Sequence, residues 1–388
     1  MNRSLTVLLG LAFLPLQNIA ADHIVGPTRE FSDLQTAISI AQAGDRILVE
    51  SGNYPGNIAI EKSLTLLPLQ EGGRYSVQGR LYCGGSGITK IQLTGIRVLT
   101  SIQFRPDLSA RLDLQVTDSY VQTFQESFGQ PLLRVEMYRD TIAQGGGLAF
   151  GSCAIIGCHI MAASGQLSAA MFLENSVLPE ENHIIGNVFH ELVGTRAIIV
   201  SNPNRPYHIE NNLAFLTMGD GAFMGLYQGG LEAPMPVCTI LNNTAINTGN
   251  NGVSALIDGP GQNPAFYYTV MVKNNARIGA GTAAALSTFT SATAPFLVAS
   301  NNAVAAPSAV NASTGEPQAG SPLIDAGDPD ARYLDLDLTT NDVGCYGGSN
   351  SLANFTTPMG SAVVGFMRAP RIVAQGSPVN ISAIGFDR

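Results

Sequence analysis

The sequence predicts an all-β solenoid, a single-stranded parallel β-helix, and a repeat of asparagine pairs is the first observation behind that prediction. The pairs stand in HIENNLAF, TILNNTAI, VMVKNNAR and VASNNAVA, each between two short apolar runs. Aligning the second Asn of each pair extends the series upstream to two equivalent positions, and successive positions lie 25 to 32 residues apart. A repeat of this length predicts one coil of a solenoid per repeat. The aligned positions are Cys158, Asn187, Asn212, Asn243, Asn275 and Asn302.

The second observation is the character of the runs between the pairs, which are short and rich in β-branched residues. Such runs suit strands and are too short for stable helices. Asn tolerates the left-handed turn conformation, and Asn side chains stacked at one corner of successive coils can form a ladder at the strand spacing of about 4.8 Å. We therefore predict a structural Asn ladder at Asn187, Asn212, Asn243, Asn275 and Asn302. Strand-like segments upstream predict the earlier coils. The repeat does not assign strand registers before about residue 150.

Residues 1–21 read as a signal peptide rather than as part of the fold. Arg3 supplies a positive charge, an apolar run follows from Leu5 to Leu16, and small residues end the segment at Ala20-Ala21. The apolar run is too short to span a bilayer, although an uncleaved anchor is the alternative. No later apolar run reaches membrane length, so we expect a secreted or cell-surface protein. The expected organisation is a signal peptide at 1–21, a β-helix at 22–348 and a short β-rich appendage at 349–388.

Composition excludes two broad classes. Only 13% of residues are charged and 45% are hydrophobic, which argues against a disordered chain. Twenty Lys and Arg residues against 29 Asp and Glu residues give a net charge of −9, which argues against coating of nucleic acid. The five cysteines show no C-x-x-C spacing, and we expect no disulfide framework.

Two longer motifs resemble known β-helix proteins. The segment FSDLQTAISIAQAGDRILVESGNYPGNIAIEKSLTLL resembles the opening of pectin-lyase-like right-handed parallel β-helix proteins. The segment GSPLIDAGDPDARYLDLDLTTNDVGCYGG is similar to the terminal coil of bacterial β-helix surface proteins, with Cys345 in place of a small residue. The resemblance implies a right-handed parallel β-helix, and we expect about ten coils with an N-terminal α-helical cap that begins at Ser32. Because this fold hosts lyases, hydrolases, epimerases and adhesins alike, it does not imply an activity.

Strand alternation points to one candidate site. If Ile184 and Ile209 face the core, His183 and His208 lie in register on the outer face of adjacent coils, and Glu210 stands beside them. An imidazole beside a carboxylate suits general acid–base catalysis, so His183, His208 and Glu210 are the catalytic candidates. Thr239 and Lys273, further along the same stripe, are the candidates for ligand binding. The alternative interpretation is an exposed polar stripe without a function.

An acidic cluster near residue 330 is a candidate Ca²⁺ site. Flexible, oxygen-rich carboxylate groups are what Ca²⁺ prefers, although the spacing here is not that of an EF-hand. Roles in turns and caps explain the same residues equally well. The candidate metal ligands are Asp325, Asp328, Asp330, Asp335 and Asp337.

The motifs of polysaccharide-degrading enzymes are mostly missing. Asn204-Arg205-Pro206 is only a fragment of a lyase-type Arg-x-Pro-x-x-Arg arrangement, and the Gly-His-Gly signature of related hydrolases is absent. We therefore expect a non-catalytic module that binds polysaccharides or other surface components, including surface proteins. The alternative is a polysaccharide lyase or a glycoside hydrolase, for which two carboxylates must face each other. Residues that could supply such a pair are Glu174, Glu180, Glu181, Glu191, Asp220 and Asp258.

Overall fold

The structure is a computed structural model of the 388-residue chain. It describes residues 20–105, 108–125, 130–145, 148–162, 169–174, 176–193, 196–201, 204–218, 222–227, 237–247, 256–258, 269–279, 286–287, 297–356, 362–368, 373 and 375–387. The predicted signal peptide lies outside these residues except for its last two positions.

The chain winds as a parallel β-helix, which confirms the predicted fold class. In the described residues, every coil except those at the two ends gives one strand to sheet 1, one to sheet 2 and one to sheet 3 or sheet 4, and strands of successive coils pair in parallel. Sheet 1 stacks twelve strands, compared with the expected ten or so coils, and sheet 2 stacks eleven. In the described ranges, neither of the helices is long and apolar enough to cross a membrane.

The strand bounds follow the order of the coils. Sheet 1 contains Asp22–Val25, Arg46–Val49, Leu64–Pro68, Thr89–Thr94, Leu112–Thr117, Leu133–Tyr138, Ser152–Ile156, Asn182–Ile185, Tyr207–Glu210, Cys238–Leu241, Val270–Lys273 and Leu297–Ser300. Sheet 2 contains Asn53–Tyr54, Tyr75–Val77, Ile96–Val98, Tyr120–Val121, Thr141–Gly145, His159–Ala162, Val188–Val193, Leu213–Met218, Thr244–Asn247, Ala276–Ile278 and Ala303–Ala305. Sheet 3 contains Ile58–Ile60, Leu81–Cys83, Ile102–Phe104 and Phe124–Gln125. Sheet 4 contains Leu148–Phe150, Ala169–Leu173, Arg196–Ser201, Met224–Tyr227, Ile257–Asp258 and Leu286–Ser287.

The core fills the inside of the solenoid because side chains alternate between the two faces of every strand. Ile184, Ile209, Ile240 and Val272 occupy equivalent inward positions of sheet 1 and are fully buried. All five cysteines are buried thiols. The residues between the inward positions are therefore the ones that the solenoid presents outward.

A column of buried side chains marks the turn from sheet 1 to sheet 2. The backbone N–H of Asn212 donates to Oδ1 of Asn243 at 3.1 Å, and that of Asn243 donates to Oδ1 of Asn275 at 2.9 Å. The amide Nδ2 of Asn243 also donates to the carbonyl of Ile209 in the preceding coil, at 2.9 Å. Asn187 and Asn302 make equivalent bonds in their coils. Each rung thus ties its own coil to the coil before it.

The same column continues upstream, where the repeat in the sequence is no longer visible. The N–H of Cys158 donates to Asn187 Oδ1, the N–H of Asp140 donates to Cys158 Sγ, and the N–H of Ser119 donates to Asp140 Oδ1. Asp140 is fully buried, and burial raises the pKa of its carboxyl well above the usual range. Asp140 accepts the backbone hydrogen bond that an Asn rung would accept, but it has no amide N–H to donate to a carbonyl of the preceding coil.

The N-terminal helix lies beside the first coils. It spans Leu34–Ile40, buries Leu34, Ala37 and Ile38, and is capped by Asp33, which accepts from the N–H of Thr36 at 2.7 Å. The prediction of Ser32 as the N-cap is wrong by one residue, because the Asp33 carboxylate takes that bond. Gln35 exchanges two hydrogen bonds with the backbone of Ala59, on the first strand of sheet 3. The helix therefore meets a strand edge, while its role as a cap of the whole end stays a prediction.

The turn after the helix is tied to the first strand by Asp45. Its carboxylate accepts from the N–H groups of Ala21 and Gln42 and lies 3.0 Å from Nε2 of His23. These hydrogen bonds, the one from Ala21 first, lower the pKa of Asp45 to about 2. The carboxylate therefore stays ionised and holds the start of the solenoid together.

Residues 307–356, here called the cover segment, contain no strand of the four sheets in the part that the structure describes. The segment lies against outward apolar side chains of sheet 2, with Leu323, Val343 and Leu352 buried on Leu213 and Ile246. A short helix, Ala353–Thr356, ends it. Within the predicted appendage, Ala362–Arg368 and Ser382–Asp387 pair as an antiparallel hairpin.

We predict that Asp140→Asn stabilises the protein, and that the gain grows as the pH rises. A folded-state pKa above the unfolded value means that Asp140 costs stability once it ionises, whereas Asn does not ionise. The new amide loses the bond that Oδ2 accepts from the N–H of Tyr138 at 3.1 Å and can instead donate to the carbonyl of Val116, the acceptor that the pattern of the Asn rungs assigns, so this exchange adds little by itself. Urea unfolding at pH 5 and pH 8 measures both effects.

Asp118→Asn serves as the control for this variant. Asp118 stands outside the column and pairs with Arg139 at 2.6 Å, so its replacement gives no comparable gain. Equal stabilities of the wild type and Asp140→Asn at both pH values would contradict the account of the column.

Candidate functional site

A row of polar side chains runs along the outward face of sheet 1 and is here called the polar row. Its members lie directly opposite one another on successive strands, with Ala154 as the one apolar position among them. Thr65 donates to Gln92 at 3.1 Å, and Gln92 donates to Gln115 at 2.8 Å. The row consists of Thr65, Gln92, Gln115, Glu136, His183, His208 and Thr239.

The structure places the two candidate histidines in stacked contact. The rings of His183 and His208 lie 5.1 Å apart between centroids, with an angle of 15° between their planes. Their side chains are 12% and 19% exposed, so each ring has a covered and an accessible side. Register between two coils therefore creates a planar surface from residues 25 positions apart.

His208 is oriented by a chain of hydrogen bonds through Thr239. The Thr239 hydroxyl lies 2.8 Å from Nδ1 of His208 and donates to Oε1 of Glu210 at 3.0 Å. A carboxylate only accepts, so the single hydroxyl proton points to Glu210 and Nδ1 of His208 must carry the other proton. This arrangement fixes the tautomer of His208 and leaves Nε2, which is buried, on the other side of the ring.

Glu181 faces that nitrogen. Its Oε2 lies 3.4 Å from Nε2 of His208 and 3.9 Å from Nε2 of His183. In the sequence, Glu181 is only one of several candidate carboxylates, because its position before the strand gives no alternation signal. Both atoms of the His208–Glu181 contact are buried, and they lie at ion-pair distance without forming a hydrogen bond. The two groups are nevertheless of the types that form a general acid–base pair.

The turn that carries Glu181 is held in place by ion pairs and backbone contacts. Glu180 lies 2.6 Å from Arg111, which also contacts Asp113 at 2.7 Å. Burial raises and the Arg111 guanidinium lowers the pKa of Glu180, and the net shift is downward. Arg205 donates to the carbonyl of Leu178 in the same turn, at 2.5 Å. The fragment of the lyase motif at Asn204-Arg205-Pro206 thus contributes a contact within the fold.

Glu210 and Lys273, two other candidates, lie beneath the cover segment. Glu210 is only 6% exposed, and its Oε2 accepts from Nδ2 of Asn350 at 3.0 Å. Lys273 pairs with Asp328 at 2.6 Å and lies 5.0 Å from the ring centre of Tyr333. Sequence alternation placed both residues on the outer face, but it could not show that a segment distant in sequence covers that face.

The acidic cluster forms turns within the cover segment. The Lys273 ammonium holds the pKa of Asp328 below its usual range, and Arg332 lowers the pKa of Asp330 to about 2. Asp335 accepts from the N–H of Asp342, Asp337 accepts from Thr339, and the N–H of Asp325 donates to Asp342. Among the described residues, no group of three His, Cys, Asp or Glu side chains is arranged to hold a metal ion. Ca²⁺ binding here stays a prediction.

The described carboxylates that remain from the sequence, Asp258 and Glu174, do not join the site. Asp258 lies on sheet 4 and pairs with Arg196 at 2.7 Å. Glu174 follows a sheet 4 strand, Ala169–Leu173. Asp220 and the side chain of Glu191 lie outside the described residues.

We predict that Thr239→Val destabilises the protein by about 1–3 kcal/mol, because it leaves Nδ1 of His208 and Oε1 of Glu210 without their shared hydroxyl. Urea unfolding measures the loss, and ¹⁵N chemical shifts of His208 report whether its tautomer changes. Thr94→Val, at another half-buried outward position of sheet 1, is the control. Equal losses in the two variants would show that the Thr239 hydroxyl has no special role.

Comparison with known proteins adds little beyond the fold. No protein-family model matches the chain, and no curated protein matches it. Among solved structures, the chain is similar to the crystal structure of pectate lyase Pel9A, with 14% sequence identity and a TM-score of 0.38. That likeness covers 84% of this chain and 96% of the other. The strand pairing described above is what identifies the chain as a parallel β-helix.

Proposed function

We propose that the protein is a secreted or cell-surface β-helix module that binds polysaccharide along the polar row without degrading it. The register of the row, which is polar in every coil from Thr65 to Thr239 except that of Ala154, is the observation that supports this proposal. Polar side chains in register on successive strands repeat at about 4.8 Å along the axis of the solenoid. A linear ligand that follows this axis meets a polar contact at each of these coils, as in other solenoids with extended binding faces.

The chemistry of the row suits the hydroxyl groups of sugars. Gln92 and Gln115 offer amide donors and acceptors, and Glu136 offers a carboxylate that Arg134 holds at 2.8 Å. The stacked rings of His183 and His208 add a planar surface with both polar and apolar character. The net charge of −9 disfavours polyanions, so neutral polysaccharides are the ligand class that fits best.

The geometry around His208 favours one second candidate, a polysaccharide lyase or glycoside hydrolase. His208 and Glu181 form the pair that would transfer a proton, with Thr239 and Glu210 orienting the imidazole. Glu210 itself is bonded to Thr239 and Asn350 and is buried, so it serves better as a support than as a catalytic group that contacts substrate. We prefer the binding function because a row of contacts extends over many coils, whereas this pair occupies one end of it.

The test is a combined binding and turnover assay on the purified protein. We expect titration calorimetry to detect binding of at least one neutral polysaccharide from a broad panel, with no unsaturated products or new reducing ends. Gln92→Ala combined with Gln115→Ala should weaken that binding about tenfold, which corresponds to a loss of about 1.4 kcal/mol. His183→Ala should weaken it in the same direction.

Arg97→Ala is the matched control, because Arg97 is exposed on sheet 2 and away from the polar row. Turnover by the wild type that is lost in Glu181→Gln would support the catalytic function in place of the binding function. Binding that is unaffected by the polar-row variants, or no binding across the panel, would contradict the proposal.

A further inference from the structure

A second pair of histidines lies on the outward face of sheet 2, outside the site described above. Nδ1 of His159 lies 3.2 Å from Nε2 of His190, and the two rings are nearly parallel, with centroids 5.5 Å apart. The ring of Phe215 stacks on His190 from the next coil at 5.6 Å. His159 is exposed and His190 is half-buried, so solvent reaches the pair.

Met161 completes the group. Ile160 is fully buried in the core, so alternation turns both His159 and Met161 outward on the same strand. Met161 is the direct strand partner of His190, and it is half-buried. Two imidazoles and one thioether thus share a patch that spans two adjacent strands about 4.8 Å apart.

We propose that His159, Met161 and His190 bind a soft monovalent metal ion, Cu(I). Thioether sulfur selects soft ions such as Cu(I), and imidazole nitrogen is a good ligand for copper. Metal–nitrogen bonds of about 2.0 Å at a tetrahedral angle place two nitrogens about 3.3 Å apart. The observed 3.2 Å between Nδ1 and Nε2, with centroids 5.5 Å apart, is that of a hydrogen bond in which the two nitrogens point at each other, so the exposed His159 ring must turn for both nitrogens to reach one ion.

Binding at this patch requires little rearrangement of the backbone. The three side chains stand on two paired strands, and Phe215 limits the movement of the His190 ring. In the metal-free protein, a proton lies between the two ring nitrogens, since one must donate and the other accept. Metal binding breaks that hydrogen bond, and the ring that donated it carries its proton on its other nitrogen instead, so both imidazoles bind as neutral ligands.

The other histidine pair supplies a matched comparison. His183 and His208 are also stacked on adjacent strands, but the outward residues that follow them are Ile185 and Glu210 rather than a methionine. The proposal therefore depends on Met161 as well as on the two rings. It does not depend on polysaccharide binding, because the two sites lie on different sheets.

The experiment is a calorimetric titration of the full-length protein with Ag(I), a redox-inert probe for Cu(I). We expect one ion per chain, loss of binding in His159→Ala and His190→Ala, and an affinity lowered about tenfold or more in Met161→Leu. His183→Ala should bind Ag(I) as the wild type does. Circular dichroism checks that each variant is folded.

Four outcomes would overturn the proposal. Unchanged affinity in Met161→Leu would show that the thioether is not a ligand. Equal losses of Ag(I) affinity in His183→Ala and His159→Ala would show that any surface imidazole suffices. Ag(I) binding retained in His159→Ala would assign the ion to the five cysteines, which that variant keeps. Absence of Ag(I) binding in the wild type would contradict the site itself.

Discussion

The buried column between sheet 1 and sheet 2 is the interaction on which the rest of the structure depends. Each rung accepts a backbone N–H from the preceding coil and, where it is Asn, donates to a carbonyl of that coil. The polar groups of a turn that would otherwise be buried without partners are thereby satisfied. Because each rung bonds one defined residue of the next coil, the column fixes the register between coils. A slip by one residue would turn core side chains outward and break the alignment of the polar row.

The two residues of each Asn pair have different tasks. The second Asn is the rung, and the first adopts the left-handed conformation, with φ of 54° at Asn211, 53° at Asn242 and 57° at Asn274. The side chains of these first residues leave the turn and bond the cover segment: Asn211 donates to the carbonyls of Cys345 and Gly347, and Asn274 accepts from the N–H of Asp328. One pattern in the sequence thus both aligns the coils and attaches the segment that shields the apolar part of sheet 2.

In the two coils where a glycine takes the place of the first Asn of the pair, the cover segment attaches by apolar contact instead. Gly157 and Gly186 have positive φ values, and the ring of Phe355 lies over both. A side chain at Gly186 would overlap that ring. Phe355 also contacts the apolar cluster of Tyr138, Ile156 and Ile185 on the outer face of sheet 1. The cluster also contains Ala154, the apolar position of the polar row, so the cover segment reaches the row at that coil.

The fold was predictable because the Asn pairs mark the turns directly in the sequence. The environment of the candidate site was not predictable in this way. Ser119, Asp140 and Cys158 occupy the column with three different side chains, and only Cys158 could be aligned from spacing. Strand alternation placed His183 and His208 together. The burial of Glu210 depends on Asn350, 140 residues away, and no local pattern reports such a contact. The pairing of His159 with His190 across sheet 2 likewise required the register of the coils.

The most direct test of the column is the free energy of unfolding of Asn243→Ala, measured by urea denaturation against Asn53→Ala. Asn53 is an exposed asparagine on sheet 2, and its replacement should cost less than about 0.5 kcal/mol. Asn243→Ala removes the acceptor of Asn212 and the donor to Ile209 inside the solenoid, and the account predicts a loss of about 3 kcal/mol or more. A loss in Asn243→Ala no larger than that in the control would contradict the claim that the column holds the coils in register.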